Sequence, residues 1–366
     1  MPALGIMFRQ CRHDRLGRHR DASCRAYRPF GCPGPPTLAV KIGAICMTNF
    51  WVNVVGTGAW GTALACHFAK FGPVQLIARD EARAAQIAGG MTSPRLPGVT
   101  LPANIRLGIQ LQPGILTCFA LPFGHLRQFL GEGYGHDGLI IAAKGITRDG
   151  LLAPTLLAGH GIKEYAVMSG PSFAGDLAAG RPVALALAAP ELALATRWAA
   201  QFHDELMRVY PDDDPMGVAL GGAVKNVIAL ACGVARGAGL GDSAVAALAS
   251  RGFAEIRRLG EAMGCRPETL MGLAGFGDLF LTASSTQSRN MQFGMALGEG
   301  CSPDEAKAKV FGVVEGVDTL KGLLALANQQ GIELPIALGL AQLLDGKFGL
   351  HDLIKALSTR PMAVGS

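Results

Sequence analysis

A short apolar run, Trp51–Val55, ends in Gly56-Thr57-Gly58-Ala59-Trp60-Gly61, and a helical pattern follows from about Thr62 to Phe71. No other stretch restricts the fold so strongly, because each glycine has its own mechanical duty where a strand turns straight into a helix. Gly56 permits the tight turn, Gly58 lets the backbone approach a pyrophosphate, and Gly61 lets the helix pack on the strand. The free N–H groups at the helix start then face negative charge. The chain has 50 glycines, so the spacing alone arises by chance. Its place between a strand and a helix is what points to a dinucleotide. A glycine-rich loop serving only strand–helix packing is the competing reading.

The alternation continues. Val74–Ala78 is a second strand ending at Arg79-Asp80. Leu116–Leu121 precedes Pro122, Leu139–Ala143 precedes Lys144, and Tyr165–Ser169 precedes Gly170-Pro171-Ser172. Short apolar runs alternating with helical patterns predict a parallel sheet covered on both faces, a Rossmann-type doubly wound α/β domain. Ligands of such sheets bind beyond the carboxyl ends of the strands, where these polar and glycine residues fall. Sites that prefer NADH usually offer an acid after the second strand for the ribose hydroxyls. Here Arg79 comes first, with Asp80 behind it, and an arginine can pair with a 2′-phosphate. NADPH is therefore favoured over NADH, unless Arg79 only stacks on adenine or faces water.

After Pro211-Asp212-Asp213-Asp214-Pro215 the apolar period changes to that of a helix. Helices are expected at about Met216–Gly233, Ser243–Met263, Asp304–Val310, Gly316–Gln330, Ile336–Leu344 and His351–Leu357. This predicts a dinucleotide-binding domain over 47–214 and an all-α substrate and catalytic domain over 215–366, with the site in the cleft between them.

Residues 1–46 do not belong to this pattern. Seven arginines and Lys41 stand there against Asp14 and Asp21, a net of +6, whereas residues 47–366 carry 25 basic and 26 acidic groups. The body is thus not basic, which removes the main electrostatic support for nucleic-acid binding. The segment reads as a disordered extension, with Met47 the natural first residue; an Arg-rich transit peptide is the alternative. Cys11, His13, His19, Cys24 and Cys32 fit no standard zinc spacing. Cys66, Cys118, Cys232, Cys265 and Cys301 are isolated, which suggests buried thiols in a reducing compartment. The most apolar segments, such as Val183–Ala189, are interrupted well short of the roughly 18–20 residues of a membrane span.

Lys225 is the odd residue of the first long helix. Leu220, Val224, Val227, Ile228 and Ala231 form an apolar stripe, while Lys225 shares its line with Gly221, Gly222, Ala229 and Cys232. Small neighbours leave room above the helix, and partial burial would lower an ammonium pKa toward useful acid–base range. A solvated mid-helix lysine fits the same spacing. Farther on, Gly275-Phe276-Gly277-Asp278 and Ser288-Arg289-Asn290 each fit ordinary turns or caps. Taken together, a hydroxyl, a guanidinium fork and an amide suit a phosphate ester. His125 reads as a loop residue.

These motifs resemble the bacterial type of NAD(P)-dependent glycerol-3-phosphate dehydrogenase from about Phe50 to Leu357. The likeness rests on Gly56–Leu64, Ala143-Lys144-Gly145, Ser169-Gly170-Pro171-Ser172-Phe173-Ala174 and Gly221-Gly222-Ala223-Val224-Lys225-Asn226. It continues through Gly277-Asp278-Leu279, Ser288-Arg289-Asn290 and Val313-Val314-Glu315-Gly316. The resemblance implies reversible hydride transfer between NAD(P)H and dihydroxyacetone phosphate, with Lys225 as the proton acceptor for alcohol oxidation. It places Lys144, Gly170, Ser172, Asp278, Ser288, Arg289 and Asn290 with Lys225 at the substrate. It places Gly56, Gly58, Ala59, Trp60, Gly61, Arg79, Lys144, Ala174, Arg289, Val313 and Glu315 at the cofactor. No metal is implied, because Lys225 can stabilise the developing alkoxide. A cytoplasmic homodimer supplying glycerol 3-phosphate for glycerophospholipid synthesis is the further expectation. Ala59 departs from a frequent serine, and Gly175-Asp176 from a usual Lys-Glu pair; both bear on cofactor affinity. A related dehydrogenase of a 3-hydroxy acid or ketopantoate-like substrate, or a catalytically silent NADPH-binding protein, are the alternatives.

Overall fold

The computed structural model describes residues 52–131 and 138–349, within a compact unit spanning Met47–Ser366. The extension 1–46 with its cysteines and histidines, Trp51 and the expected helix His351–Leu357 lie outside the described residues.

Ten strands are present among the described residues: β1 (Val52–Val55), β2 (Val74–Ile77), β3 (Thr92–Ser93), β4 (Leu96–Thr100), β5 (Ile105–Gly108), β6 (Leu116–Phe119), β7 (Leu139–Ile141), β8 (Tyr165–Ser169), β9 (Val183–Ala188) and β10 (Met207–Asp212). Eight form one sheet in the order β10-β9-β8-β7-β6-β1-β2-β5, and β3 pairs with β4 apart from it. Strands β1, β2, β7 and β8 are buried along their whole length, as expected for runs covered on both faces. Val52 of β1 lies between Val74 of β2 and Leu116 of β6. The chain therefore leaves β1 toward one side and enters β6 on the other, which opens a crevice at the carboxyl end of β1.

The doubly wound sheet agrees with the sequence reading, but it is not wholly parallel. Strand β9 runs antiparallel to β8, with Val167 opposite Ala188, and β10 follows β9. The connection over residues 170–182 carries only the short helix Ala174–Ala178. The reversal brings the start of β9 beneath the carboxyl end of β8.

Local packing also moves several expected boundaries. The first helix is Ala59–Phe68, not Thr62–Phe71, because Gly58 itself is the N-cap. The long helix is Pro215–Gly237 and runs a turn past Gly233. Gly233 does not end it, because a Cβ there would fall 2.9 Å from Gly294 Cα of the crossing helix Arg289–Gly298; close helix contact overrides the usual stop signal. Asp214 caps its start by accepting from the Gly217 N–H at 2.7 Å.

Contrary to the sequence reading, this helix is long and apolar enough to cross a membrane, but its apolar window is wholly buried inside the protein. It is the axis of the helical half, packed by Asp242–Ala262, Asp278–Ser284, Arg289–Gly298 and Glu315–Gln329. Cys118, Cys232 and Cys265 are buried free thiols, while Cys66 and Cys301 are only half-buried. Burial pushes the Cys118 thiol up to about 12.

Candidate active site

Four elements deliver the central residues. Lys144 stands three residues beyond β7, Gly170 directly follows β8, Lys225 lies mid-way along Pro215–Gly237, and Asp278 opens the helix Asp278–Ser284. Lys225 Nζ donates to Asp278 Oδ1 at 2.6 Å and to Thr282 Oγ1 at 2.9 Å. Lys144 Nζ donates to Asp278 Oδ2 at 2.6 Å and to the Gly170 carbonyl at 3.3 Å. Ser172 Oγ donates to that same carbonyl at 3.1 Å. Asp278 is fully buried, Lys225 is 8% exposed, and the Lys144 side chain is 14% exposed.

One buried carboxylate thus serves two ammonium groups, leaving a local excess of positive charge. Burial is the largest influence on Lys225 and lowers its pKa from 10.5 to about 8; Asp278 opposes this, Lys144 reinforces it, and Glu315 opposes it weakly. Asp278 is therefore no turn or cap residue of the ordinary kind. Nor are the small residues beside Lys225 there to leave space. A Cβ at Gly222 would collide with Ser169 Oγ, and one at Gly221 would fall 2.8 Å from the Ala274 carbonyl. They let β8 and the turn Leu273–Gly277 close onto the helix, which brings Asp278 to the lysine.

A second network adjoins the first. Asn290 Nδ2 donates to Asn226 Oδ1 at 3.0 Å, the Gly316 N–H donates to Asn290 Oδ1 at 2.9 Å, and Asn226 Nδ2 donates to Glu315 Oε2 at 3.5 Å. Burial raises the Glu315 carboxyl, while Arg289, Lys225 and Lys144 pull it back down. Ser288 caps Arg289–Gly298 by accepting from the Met291 N–H. Arg289 and Val313 are exposed.

The glycine loop and Arg79 form a separate group at the carboxyl ends of β1 and β2. No hydrogen bond among the described residues joins them to the lysine–aspartate cluster. The helix Ala59–Phe68 starts without a side-chain cap. A Cβ at Gly58 would meet nothing within 4 Å, whereas one at Gly61 would strike the Gly56 carbonyl. Open space before uncapped N–H groups is what a pyrophosphate requires, so these residues fit a dinucleotide. Ala59, Trp60 and Ala174 are partly buried against one apolar cluster, with the helix Ala174–Ala178 packed on Ala59–Phe68. Arg79 projects into solvent, its side chain 82% exposed and paired with Asp80. His125, on the turn Phe123–His125, is exposed.

Thr282, Asn226 and Ser169 were not singled out from the sequence. Thr282 follows Asp278 by one helical turn and donates to its carbonyl at 2.6 Å, a spacing that could have found it. Asn226 adjoins Lys225. Ser169 Oγ reaches Asp278 Oδ2 at 3.4 Å, a contact made only by the sheet.

Two models of NAD-dependent glycerol-3-phosphate dehydrogenase match, that of the N-terminus over residues 51–195 and that of the C-terminus over 214–355. Glycerol-3-phosphate dehydrogenase [NAD(P)+] from Mesorhizobium japonicum is 42% identical over 326 residues, covering 86% of this chain and 94% of that one. Its counterpart from Methylobacterium radiotolerans is 43% identical over 323 residues, covering 85% and 97%. The crystal structure of glycerol-3-phosphate dehydrogenase from Coxiella burnetii superimposes with a TM-score of 0.81 at 31% identity, covering 85% of this chain and 99% of that one. With both halves matched in order, and the lysine–aspartate–lysine cluster where they meet, the chain belongs to the NAD(P)-dependent glycerol-3-phosphate dehydrogenase family.

Proposed function

We propose that the protein interconverts dihydroxyacetone phosphate and sn-glycerol 3-phosphate, with residues 47–214 holding the dinucleotide and 215–366 supplying the proton and the grip on substrate. The observation that carries this reading is the buried Asp278 carboxylate held between Lys225 and Lys144. When bound, the nicotinamide supplies or accepts the hydride. Gly56, Gly58, Ala59, Trp60 and Gly61 would hold its pyrophosphate side, with Ala174, Val313 and Glu315 along its length.

The ammonium of Lys225 has three N–H bonds. Asp278 and Thr282 take two, and the third is left for the substrate oxygen. It protonates the ketone oxygen during reduction and, as the amine, takes the hydroxyl proton during oxidation. Lys144 likewise keeps one N–H after Asp278 and Gly170. Asp278 fixes both lysines, and Asn226 with Asn290 fixes the next turn. Arg289 faces the phosphate, joined by the hydroxyl of Ser288 and the amide of Asn290. In this reading the enzyme prefers NADPH through Arg79 and works as a cytoplasmic homodimer that supplies glycerol 3-phosphate for glycerophospholipids.

The assay is oxidation of NADPH or NADH with dihydroxyacetone phosphate. Arg289→Ala raises the KM for this substrate by about 10- to 100-fold, the worth of a charge-assisted contact, with kcat little changed. Equal activity on unphosphorylated dihydroxyacetone would remove the phosphate grip from the reading. The pH dependence follows from the Lys225 pKa of about 8. For glycerol 3-phosphate oxidation kcat/KM depends on the amine, so it rises about tenfold per pH unit below that value and levels above it. For reduction the ammonium is required, and the profile falls above the same value. Profiles that are flat between pH 6 and 10 in both directions count against Lys225 as the proton carrier.

A further inference from the structure

We propose that Arg83 acts beside Arg79 to distinguish the 2′-phosphate of NADPH from the 2′-hydroxyl of NADH, and that Asp80 takes no part in holding the ribose. The inference rests on the reading of the glycine loop as a dinucleotide site.

The Gly56 N–H donates to the Ile77 carbonyl at 3.0 Å, which seats the glycine loop against the end of β2. Thr57, the next residue, accepts from Arg83 Nε on its Oγ1 at 3.4 Å. Arg83 lies in the first turn of the helix Glu81–Gly90, so its guanidinium bridges the two strand ends. One arm, Nη1, donates to Gln86 Oε1 at 2.8 Å. The other makes no hydrogen bond among the described residues. Arg83 is half-buried, whereas the side chain of Arg79 is 82% exposed. A guanidinium already held at two points loses less freedom on meeting a phosphate than one free in solvent.

Asp80 is the acid that a ribose diol would use, yet each of its oxygens already accepts a hydrogen bond from an arginine. Oδ1 accepts from the Arg83 N–H at 2.7 Å as the helix cap, and Oδ2 accepts from Arg79 Nε at 2.8 Å. These contacts, the Arg83 N–H first, hold its carboxyl below the usual carboxylate range. Asp80 therefore serves the helix and Arg79, and with Arg83 the crevice keeps a net positive charge. The other charged groups beside it are the exposed Glu81 and Arg95. Arg95 sits over the Phe311 ring, 5.0 Å from its centre, and its N–H donates to Ser93 Oγ, which in turn donates to the Thr57 carbonyl. A dianionic 2′-phosphate meets complementary charge here. A 2′-hydroxyl does not, and the half-exposed guanidinium keeps its water instead.

The test compares wild type, Arg83→Ala, Arg83→Lys and Asp80→Asn in the full chain, with steady-state kinetics for both cofactors and calorimetric titration of 2′,5′-ADP and ADP. Arg83→Ala raises the KM for NADPH, and weakens 2′,5′-ADP, by roughly tenfold to a hundredfold, while NADH, ADP and kcat stay within about threefold. Arg83→Lys, which keeps the charge but not the fork, falls between. Asp80→Asn leaves the KM for NADH within about threefold. Equal losses for both cofactors in both Arg83 variants would make Arg83 a strut for the glycine loop and overturn the assignment alone. A selective rise in the KM for NADH in Asp80→Asn overturns the part concerning Asp80. A wild type that binds neither nucleotide overturns the dinucleotide reading and this inference with it.

Discussion

Lys225→Ala lowers kcat for dihydroxyacetone phosphate reduction by about 10²- to 10⁴-fold, the usual worth of a positioned proton carrier, while the affinity for NADPH is unchanged. The fold survives the change. In the native cluster Asp278 is shared by two lysines, so removing one leaves a neutral pair with Lys144. The ammonium lost is one whose pKa burial has already lowered, meaning that its charged form is destabilised in place. The melting temperature is therefore expected to hold or rise even as turnover collapses, a separation typical of groups kept for chemistry. Initial rates, a fluorescence titration with NADPH and a thermal melt together decide it. Turnover equal to wild type would eliminate Lys225 as the acid–base group. A melt lowered in step with activity would make the lysine structural.

Asp278→Asn has the opposite profile. It keeps the shape but takes from the Lys225 and Lys144 ammonium groups their shared carboxylate, with only the weaker influence of Glu315 opposing them. Breaking a buried pair on one side costs about 3–5 kcal/mol, so the melting temperature falls substantially. The sign of the accompanying pH effect is fixed by the same geometry. Asp278 raises the Lys225 pKa, and burial and Lys144 lower it. With the carboxylate gone the two lowering influences meet only the weak opposition of Glu315, so the pKa moves below about 8. Ketone reduction, which needs the ammonium, then fails at a lower pH than in wild type, and the residual oxidation activity persists to lower pH. A variant with an unshifted pH profile would show that Asp278 does not govern Lys225.

Much of this was legible from the chain alone because it depends on local rules. The glycine loop lies between β1 and a helix, and the polar residues gather at strand ends, because a parallel sheet with short connections leaves them nowhere else to go. Lys225 is conspicuous for a related reason, as the one charge mid-way along a helix whose other charged residue, Arg236, lies in the last turn. What escaped the reading depends on tertiary contact. Gly221 and Gly222 looked like residues that make space, yet they are small because Ser169 and Ala274 press on them. Gly233 looked like a helix stop and is instead a crossing point with Gly294. The reversal at β9 has no signature in an apolar run such as Val183–Ala188, which suits either direction. Asp278 could be paired with Lys225 only once the fold had brought together residues 53 positions apart.

The burial of Pro215–Gly237 on every side fixes how the enzyme can divide rigidity from motion. Its residues from Gly217 to Ala235 are all buried, and backbone presses on backbone where it is crossed. An element so enclosed behaves as an axle, because interiors packed at crystal-like density transmit displacement and do not absorb it. Lys225 rides on that axle, and Arg289 and Val313 stand exposed on the rim around it. Any adjustment to a bound molecule is therefore expected at the rim, with the Lys225–Asp278 contact held fixed.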